Sequence, residues 1–335
     1  MKQRDIVKAT LEFNSPLRIP RQLWYLRWAE EHYPEQMKKI QQDFPDDIVS
    51  APAVYKEKLK TKGDAYAVGE YIDEWGCIFE SMQSGVFGQV KEPLLTNWQD
   101  IGKIRIPTEA LTLDIDEVNS FCEKTDKFVL SACCPRIFER LQFIRKTENI
   151  LIDFIDKPEE LSVLISRIHN FYKEELNLWA KTKVDALCIM DDWGSQNSLM
   201  ISPVMWREMF KPIYMDYSEI AHSNGKYLFM HSDGCIVDIL PDLIEVGVDA
   251  INLQIFCMDV QTISERFAGK ITFWGEVDRQ NLLPYGTKED IKNAVALLKE
   301  SFYRNGGVIA QCEFGPGANP ENVYAVFEEW ANLKL

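Results

Sequence analysis

The sequence predicts a single (β/α)8 barrel, an α/β fold in which eight parallel strands alternate with helices. From residue 127 onward, short runs rich in β-branched and aromatic residues alternate with longer amphipathic stretches, the rhythm of a sheet wound by βαβ units. The short runs are apolar almost without interruption, as strands are when both faces of a parallel sheet are buried. Two earlier runs bring the count to eight, the closure number of such a barrel.

The opening segment, MKQRDIVKATLEF, reads as an N-terminal extension; it carries charge throughout and has no signal-peptide core. The first two strands are expected at Gln22–Arg27 (QLWYLR) and Asp47–Pro52 (DIVSAP). Residues 65–91 break the rhythm with aromatic and glycine-rich text, AYAVGEYIDEWGCIFESMQSGVFGQVK, and read as a hairpin insertion. Six more strands follow at Lys127–Cys134, Asp185–Asp192, Lys226–Asp233, Val248–Gln254, Lys270–Glu276 and Gly307–Glu313. Helical stretches between them include Pro158–Lys183, Pro203–Asn224, Val237–Val246, Thr287–Arg304 and Pro320–Leu333. An open doubly wound sheet is the main competitor, but no Gly-rich phosphate-binding turn follows any strand. At about 150 residues per domain the length would allow two domains. No linker, low-complexity tract or short repeat divides the chain, so one domain over residues 1–335 is expected.

Composition removes several function classes. Hydrophobic residues at 46% and charged residues at 27% are those of an ordinary globular chain, not a disordered or fibrous one. Fifty-two acidic against 37 basic residues leave a net charge of −15, which repels phosphate backbones and anionic lipid. Nucleic acid and membrane are therefore not expected partners, and no apolar run approaches the ~18 residues of a spanning helix. The eight cysteines show no paired spacing, and a core this large needs no disulfides. A reducing cytoplasm is the expected compartment, with most thiols packed as small hydrophobes.

Active sites of these barrels lie at the C-terminal ends of the strands. Reading off strand ends gives Arg27, Asp47, Cys133–Cys134, Asp191–Asp192, His231 to Asp233, Asn252 to Gln254, Glu276 to Asp278 and Cys312–Glu313. Any one of these could simply cap a helix or meet solvent, since turns favour Asp and Asn. Of four histidines only His231 falls at a strand end; His32, His169 and His222 sit in helical text. Asp233, two residues on, would share a strand face with it. Cys312 ends the last strand, across the mouth of a closed barrel. His231, Asp233 and Cys312 are competent zinc ligands that leave an open catalytic position, with Cys235 and Glu313 in reserve. Asp191 and Asp192 could orient a base or hold substrate, and like charges so close raise one pKa in a dry site. A helix cap beside a solvated acid explains the pair equally well.

These residues resemble the uroporphyrinogen decarboxylase superfamily, whose members are (β/α)8 barrels and which includes cobalamin-dependent methyltransferases. True decarboxylases carry aromatic-x-Met-Arg-Gln-Ala-Gly-Arg followed by Pro-Glu. Here Trp24 to Glu35 reads WYLRWAEEHYPE, which keeps Arg27 but puts Glu31 at the second arginine. In decarboxylases both arginines hold substrate carboxylates, and Glu31 reverses the sign of that contact. The resemblance places the decarboxylase catalytic aspartate at Asp47. Counting back from Pro320-Glu321-Asn322-Val323 puts Cys312 where decarboxylases have a histidine.

The methyltransferase branch is closer at these positions. Its zinc motif, His-x-Cys with a distant cysteine, is matched by His231 and Cys312, with Asp233 where the first cysteine is usual. A carboxylate in place of a thiolate leaves the metal more Lewis acidic, suited to polarising a substrate oxygen. The resemblance thus implies a zinc-dependent methyltransferase passing a methyl group between a small methylated substrate, such as a methoxy compound, and a corrinoid protein. Asp191, Asp192 and Asp47 would be catalytic, and Arg27, Gln254 and Glu276 would bind substrate. The barrel and its insertion use the whole sequence, so the cobamide is expected on a partner protein. Two alternatives are kept: uroporphyrinogen decarboxylation in porphyrin biosynthesis, with Asp47 and Arg27 on the substrate, and a non-catalytic binder of tetrapyrroles or small molecules. Exposed aromatics among nine tryptophans would suit a homodimer face or a corrinoid-protein dock.

Overall fold

A computed structural model describes residues 2–334. Among them eleven strands run in chain order: β1 (Arg21–Tyr25), β2 (Ile48–Ser50), β3 (Gly69–Ile72), β4 (Ile78–Ser81), β5 (Gln89–Val90), β6 (Phe128–Leu130), β7 (Ala186–Met190), β8 (Tyr227–Ser232), β9 (Ala250–Leu253), β10 (Thr272–Trp274) and β11 (Val308–Phe314). Eight form a parallel sheet in the order β1-β11-β10-β9-β8-β7-β6-β2. Its two ends meet. The Asp47 amide donates to the Arg21 carbonyl at 2.8 Å, and the Asp46 carboxylate accepts the Leu23 amide at 2.7 Å. A side chain thus completes the seam where the backbone ladder is short, and the sheet is a nearly closed (β/α)8 barrel. Each of the eight expected runs overlaps one of its strands, with β1 starting one residue earlier and β11 ending one residue later than expected.

Two helices differ from the sequence reading. Pro203–Asn224 is broken into Pro203–Met209 and Lys211–Ser223, because Pro212 has no amide to continue the ladder and starts a new first turn. Val237–Val246 shortens to Leu240–Val246, with Pro241 again in the first turn. Among the described residues no helix is long and apolar enough to cross a membrane, and all eight cysteines are free thiols.

Side chains alternate between the barrel interior and the helix layer. Ile48, Phe128, Leu130, Ala186, Phe229, Ala250, Trp274 and Ile309 form one inward cluster, and Val7 and Leu11 of the helix Gln3–Leu11 join it. The N-terminal extension is therefore the floor of the barrel. Burying a ring such as Phe128 or Phe229, each 0% exposed, stabilises the fold by about 2–3 kcal/mol. One layer higher, Gln22 Oε1 accepts hydrogen bonds from the indoles of Trp24 at 3.2 Å and Trp274 at 3.0 Å. The two indoles meet edge to face at 4.9 Å. This layer supports the mouth.

The insertion is a three-stranded antiparallel sheet, β3-β4-β5, rather than a single hairpin. Arg140 from the helix Ile137–Arg145 fastens it by pairing with buried Asp73 and lying over the Trp75 ring at 4.9 Å. On the other side Trp28 donates its amide to the Gly85 carbonyl at 3.0 Å. The backbones approach so closely there, with Gly85 at φ +77°, that any Cβ would overlap Trp28.

Candidate metal centre at the barrel mouth

Strand register decides which residues reach the mouth. His231 on β8 pairs with Met190 on β7 and Asn252 on β9, and all three share the inward face. The Trp24 ring lies beneath the imidazole with centroids 5.3 Å apart. Beyond the strand ends, the turns at Trp193-Gly194 and Asp233-Gly234 cross in contact. A Cβ on Gly194 would fall onto the Cys235 amide, and the Gly194 amide donates to the Asp233 carbonyl at 3.2 Å. That crossing brings Asp192 and Asp233 together, with the Asp233 amide 2.9 Å from Asp192 Oδ1.

The result is a compact set of donors. His231 Nε2 lies 3.6 Å from Asp192 Oδ1 and 3.5 Å from Asp233 Oδ1, and one atom from each side chain falls within 4.8 Å of the others. His231 Nδ1 is 2.6 Å from Asn252 Oδ1, while the Asn252 amide nitrogen donates to the Trp274 carbonyl. That second bond fixes which end of the amide faces the imidazole. Nδ1 therefore carries the proton and Nε2 offers a lone pair, the orientation that outer hydrogen bonds impose on metal-binding histidines. Burial opposes the imidazolium, but Asp192 and Asp233 outweigh it and the His231 pKa is raised. Arg279 spans the rest of the mouth. It pairs with Asp233, lies 3.5 Å from Glu276 and donates to Glu313 at 3.2 Å. Burial pushes the Glu276 carboxyl up to about 8, helped by Glu313 and Asp233 and opposed by Arg279.

A family profile for uroporphyrinogen decarboxylase (URO-D) matches residues 75–333. The chain belongs to the uroporphyrinogen decarboxylase family. The match starts after the N-terminal arginine motif and leaves the first 74 residues outside it. No curated protein matches the sequence. Among solved structures, a methyltransferase from Methanosarcina mazei superposes with a TM-score of 0.71 at 14% identity, over 99% of this chain and 98% of that one. The likeness is one of fold. The 3-keto-D-glucoside 4-epimerase YcjR of E. coli reaches only 0.40 at 12% identity, over 65% and 83% of the two chains.

Within this URO-D barrel the expected site residues separate sharply. Cys312 faces the wrong way. It pairs with Leu23, and both pack into the outer, helix-facing core, while the neighbouring inward pair is Trp24 with Glu313. It is 0% exposed, and burial holds its thiol well above the ordinary range. The reserve residue Glu313 reaches the mouth in its place, through Arg279. Cys235, the other reserve, is buried behind the crossing, its amide held by the Ser195 carbonyl at 2.8 Å. Asp47 lies at the opposite end of the barrel, because it precedes β2; Arg18 grips it in two hydrogen bonds of 2.6 Å. The catalytic assignment to Asp47 is therefore corrected to a structural one.

Asp191 is also structural. It is 0% exposed and accepts the Phe138 and Glu139 amides at 2.9 and 2.8 Å and the Tyr214 hydroxyl at 3.0 Å. It caps the helix Ile137–Arg145 and leaves Asp192 to face the mouth. Arg27 stands on the rim, half exposed, held by Asp64 at 2.9 Å and Glu31 at 3.3 Å, and does not join the acid cluster. Gln254 accepts the Gly234 amide at 2.9 Å and lines a small cavity of about 40 Å3 with Glu276 and Arg279.

One participant escaped the sequence reading and another was given no role by it. Arg279 sits beyond its strand with no motif to mark it, and Asn252 was visible only as one polar residue in a strand-end cluster. The Cys134 thiol, already in the strand-end set, is pulled down to about 6 by the neighbouring Cys188 thiol first, with help from Arg136 and His231 and against the effect of burial.

Proposed function

We propose that this URO-D family member is a zinc-dependent methyltransferase that moves a methyl group between a small methylated substrate, such as a methoxy compound, and the cobamide of a separate corrinoid protein. The observation that carries the reading is His231. Its Nδ1 is committed to Asn252 and its Nε2 faces two carboxylates. The residues suit a divalent cation. Asp233 Oδ1 is buried beside that lone pair with no hydrogen-bond partner, an arrangement costly to leave unmet. Asp192, His231 and Asp233 would hold the metal, so Asp192 takes the place expected of Cys312. The fold shared with the Methanosarcina mazei methyltransferase supports the same reading.

When bound, such a metal supplies Lewis acidity to the atom that gives up the methyl group, and the cobamide supplies the methyl-carrying cobalt. An all-oxygen-and-nitrogen donor set favours an oxygen leaving atom over a thiol. The chain's own groups do the rest. Glu276 keeps a proton near neutral pH, held at the mouth where a departing alkoxide needs one. Arg279 holds Asp233 in place, and Trp24 closes the floor beneath the imidazole.

Decarboxylation has less support, because Asp47 lies at the far end of the barrel and Arg27 is spent on Asp64 and Glu31. The two readings part in one experiment: equilibrium dialysis against zinc, beside incubation with uroporphyrinogen. One zinc per chain is expected for the wild type, with marked loss in His231→Ala and Asp192→Asn and no carbon dioxide from uroporphyrinogen. Zinc retained by His231→Ala, or coproporphyrinogen formed at a useful rate, overturns the proposal.

A further inference from the structure

Of the eight free thiols five are buried, and Cys134, Cys188 and Cys257 are partly exposed. The Cys257 thiol is bonded to Gln254 Oε1 at 3.4 Å, and burial raises its pKa. Backbone contacts bring the other two together. Beyond β6 the segment from Ser131 to Pro135 runs beside β7 and is tied to it twice. The Cys188 amide donates to Ser131 Oγ at 2.9 Å, and the Met190 amide to the Pro135 carbonyl at 3.0 Å. Cys134 falls between these ties, and its sulfur lies within hydrogen-bond reach of the Cys188 thiol. The adjacent Cys133 is turned away: it is 3% exposed, and its thiol bonds to the Ser131 hydroxyl at 3.1 Å.

The two neighbouring sulfurs differ in chemistry. Cys134 lines a cavity of about 490 Å3 between the insertion and the barrel, which gives small solutes a way in from solvent. Arg136 shares that wall, and its Nε donates to the Cys134 carbonyl at 3.4 Å. With the Cys188 thiol donating to it first and the Arg136 guanidinium beside it, Cys134 is largely thiolate at neutral pH, the form that reacts with peroxides. Cys188 is the reverse. Its bond to Cys134 first, and burial second, hold its proton in place. That hold is released once the Cys134 sulfur loses its negative charge.

We propose that Cys134 and Cys188 are an oxidisable dithiol, in which Cys134 attacks a small hydroperoxide entering the cavity and Cys188 closes the disulfide. In the first step the Cys134 sulfur forms an S–O bond, the O–O bond breaks, and the departing hydroxide takes up a proton to leave as water. Cys188 then gives up its proton and attacks the Cys134 sulfur. The S–S bond forms, the S–O bond breaks, and the second hydroxide is protonated to water. Two electrons, one from each sulfur, thus reduce one hydrogen peroxide to two waters. The disulfide ties the segment leading to Arg136 onto β7, two residues before Met190, the strand partner of His231. It also removes the thiolate beside Arg136, so oxidation alters the cavity wall next to the mouth without consuming a metal ligand. Neither step needs a metal, a cobamide or methyl transfer.

The test treats the reduced full chain near pH 7 with a small excess of hydrogen peroxide, caps the remaining thiols with iodoacetamide in denaturant, and maps the peptides without reduction. Loss of two of the eight thiols as a single Cys134–Cys188 disulfide is expected, reversed by dithiothreitol. Cys188→Ser should stop at a Cys134 sulfenic acid that dimedone traps. Cys134→Ser should slow the loss of thiols about tenfold or more, the advantage a thiolate has over a protonated thiol. A disulfide between any other pair or between two chains, dimedone on a different cysteine, or unchanged thiol loss in folded Cys134→Ser each overturn the proposal. Eight intact thiols at peroxide levels that already oxidise the methionines do the same. The wild-type peptide map decides the pairing by itself, whether or not either variant folds.

Discussion

Replacing Asn252 by leucine removes the one bond that fixes the tautomer of His231 while keeping the side-chain volume close. Asn252 is 1% exposed, accepts from Nδ1 at 2.6 Å and donates to the Trp274 carbonyl. The substitution strands a buried ring N–H and a buried carbonyl, at about 1–3 kcal/mol each, so a loss of roughly 2–6 kcal/mol in stability is expected. Zinc affinity should fall about 10–100-fold, or about 1.4–2.7 kcal/mol, the usual effect of removing an orienting partner. Asn252→Asp keeps an acceptor on Nδ1 and adds negative charge behind the imidazole, so its zinc affinity should equal or exceed the wild type. Cys312→Ala serves as the contrast. The thiol packs in the helix-facing core, so the change should cost about 1 kcal/mol of stability and leave zinc affinity within about twofold. Competition with a chromophoric chelator measures all three, with urea unfolding to confirm that each variant is folded. Wild-type zinc affinity in folded Asn252→Leu would refute the tautomer reasoning. A Cys312→Ala variant as impaired as His231→Ala would refute the assignment of barrel faces.

Other consequences follow from single contacts. Burial raises the Asp46 carboxyl from 3.8 to about 6, so its contribution to stability is full below pH 3.8 and is lost as pH rises through 6. Asp46→Asn should therefore remove that decline and gain about 1–2 kcal/mol at alkaline pH relative to wild type, a difference read from urea midpoints on either side of pH 6; equal pH slopes would contradict it. Arg140→Met leaves Asp73 buried and unpaired, so a loss of about 3–5 kcal/mol is expected, with early proteolytic cleavage within residues 65–91; an insertion that stays resistant would show that the pair does not anchor it. Gly194→Ala forces a methyl group onto the Cys235 amide and should separate Asp192 from Asp233, lowering stability by about 1–3 kcal/mol and abolishing metal binding; a variant that binds zinc normally would mean the crossing is not what holds the site.

The barrel was legible in the sequence because its strands are buried on both faces, which makes each one a short apolar run between polar ends. The same burial hid the facing of individual residues. When both sides of a strand are packed, the period-two pattern that separates inside from outside disappears. Cys312 and Glu313 are adjacent and equally plausible by sequence, and one residue of register sends the first to the helix layer and the second to the mouth. Asp47 was misread differently. Chain direction alone places it at the start of β2, opposite the site, although the family resemblance pointed to it. Asp191 and Asp192 could not be ranked until the helix Ile137–Arg145 was seen to claim the first with two backbone amides.

Sequence by itself determined the fold class, the eight strands, the insertion and the singling out of His231, because these depend on composition and on order along the chain. Tertiary structure alone decided which acids stand beside that histidine. Asp192, Asp233, Asn252, Glu276 and Arg279 come from four different strand ends, brought together by barrel closure and by one glycine crossing. Convergence of that kind is a property of register and backbone approach, and neither leaves a local signature in the residues that meet.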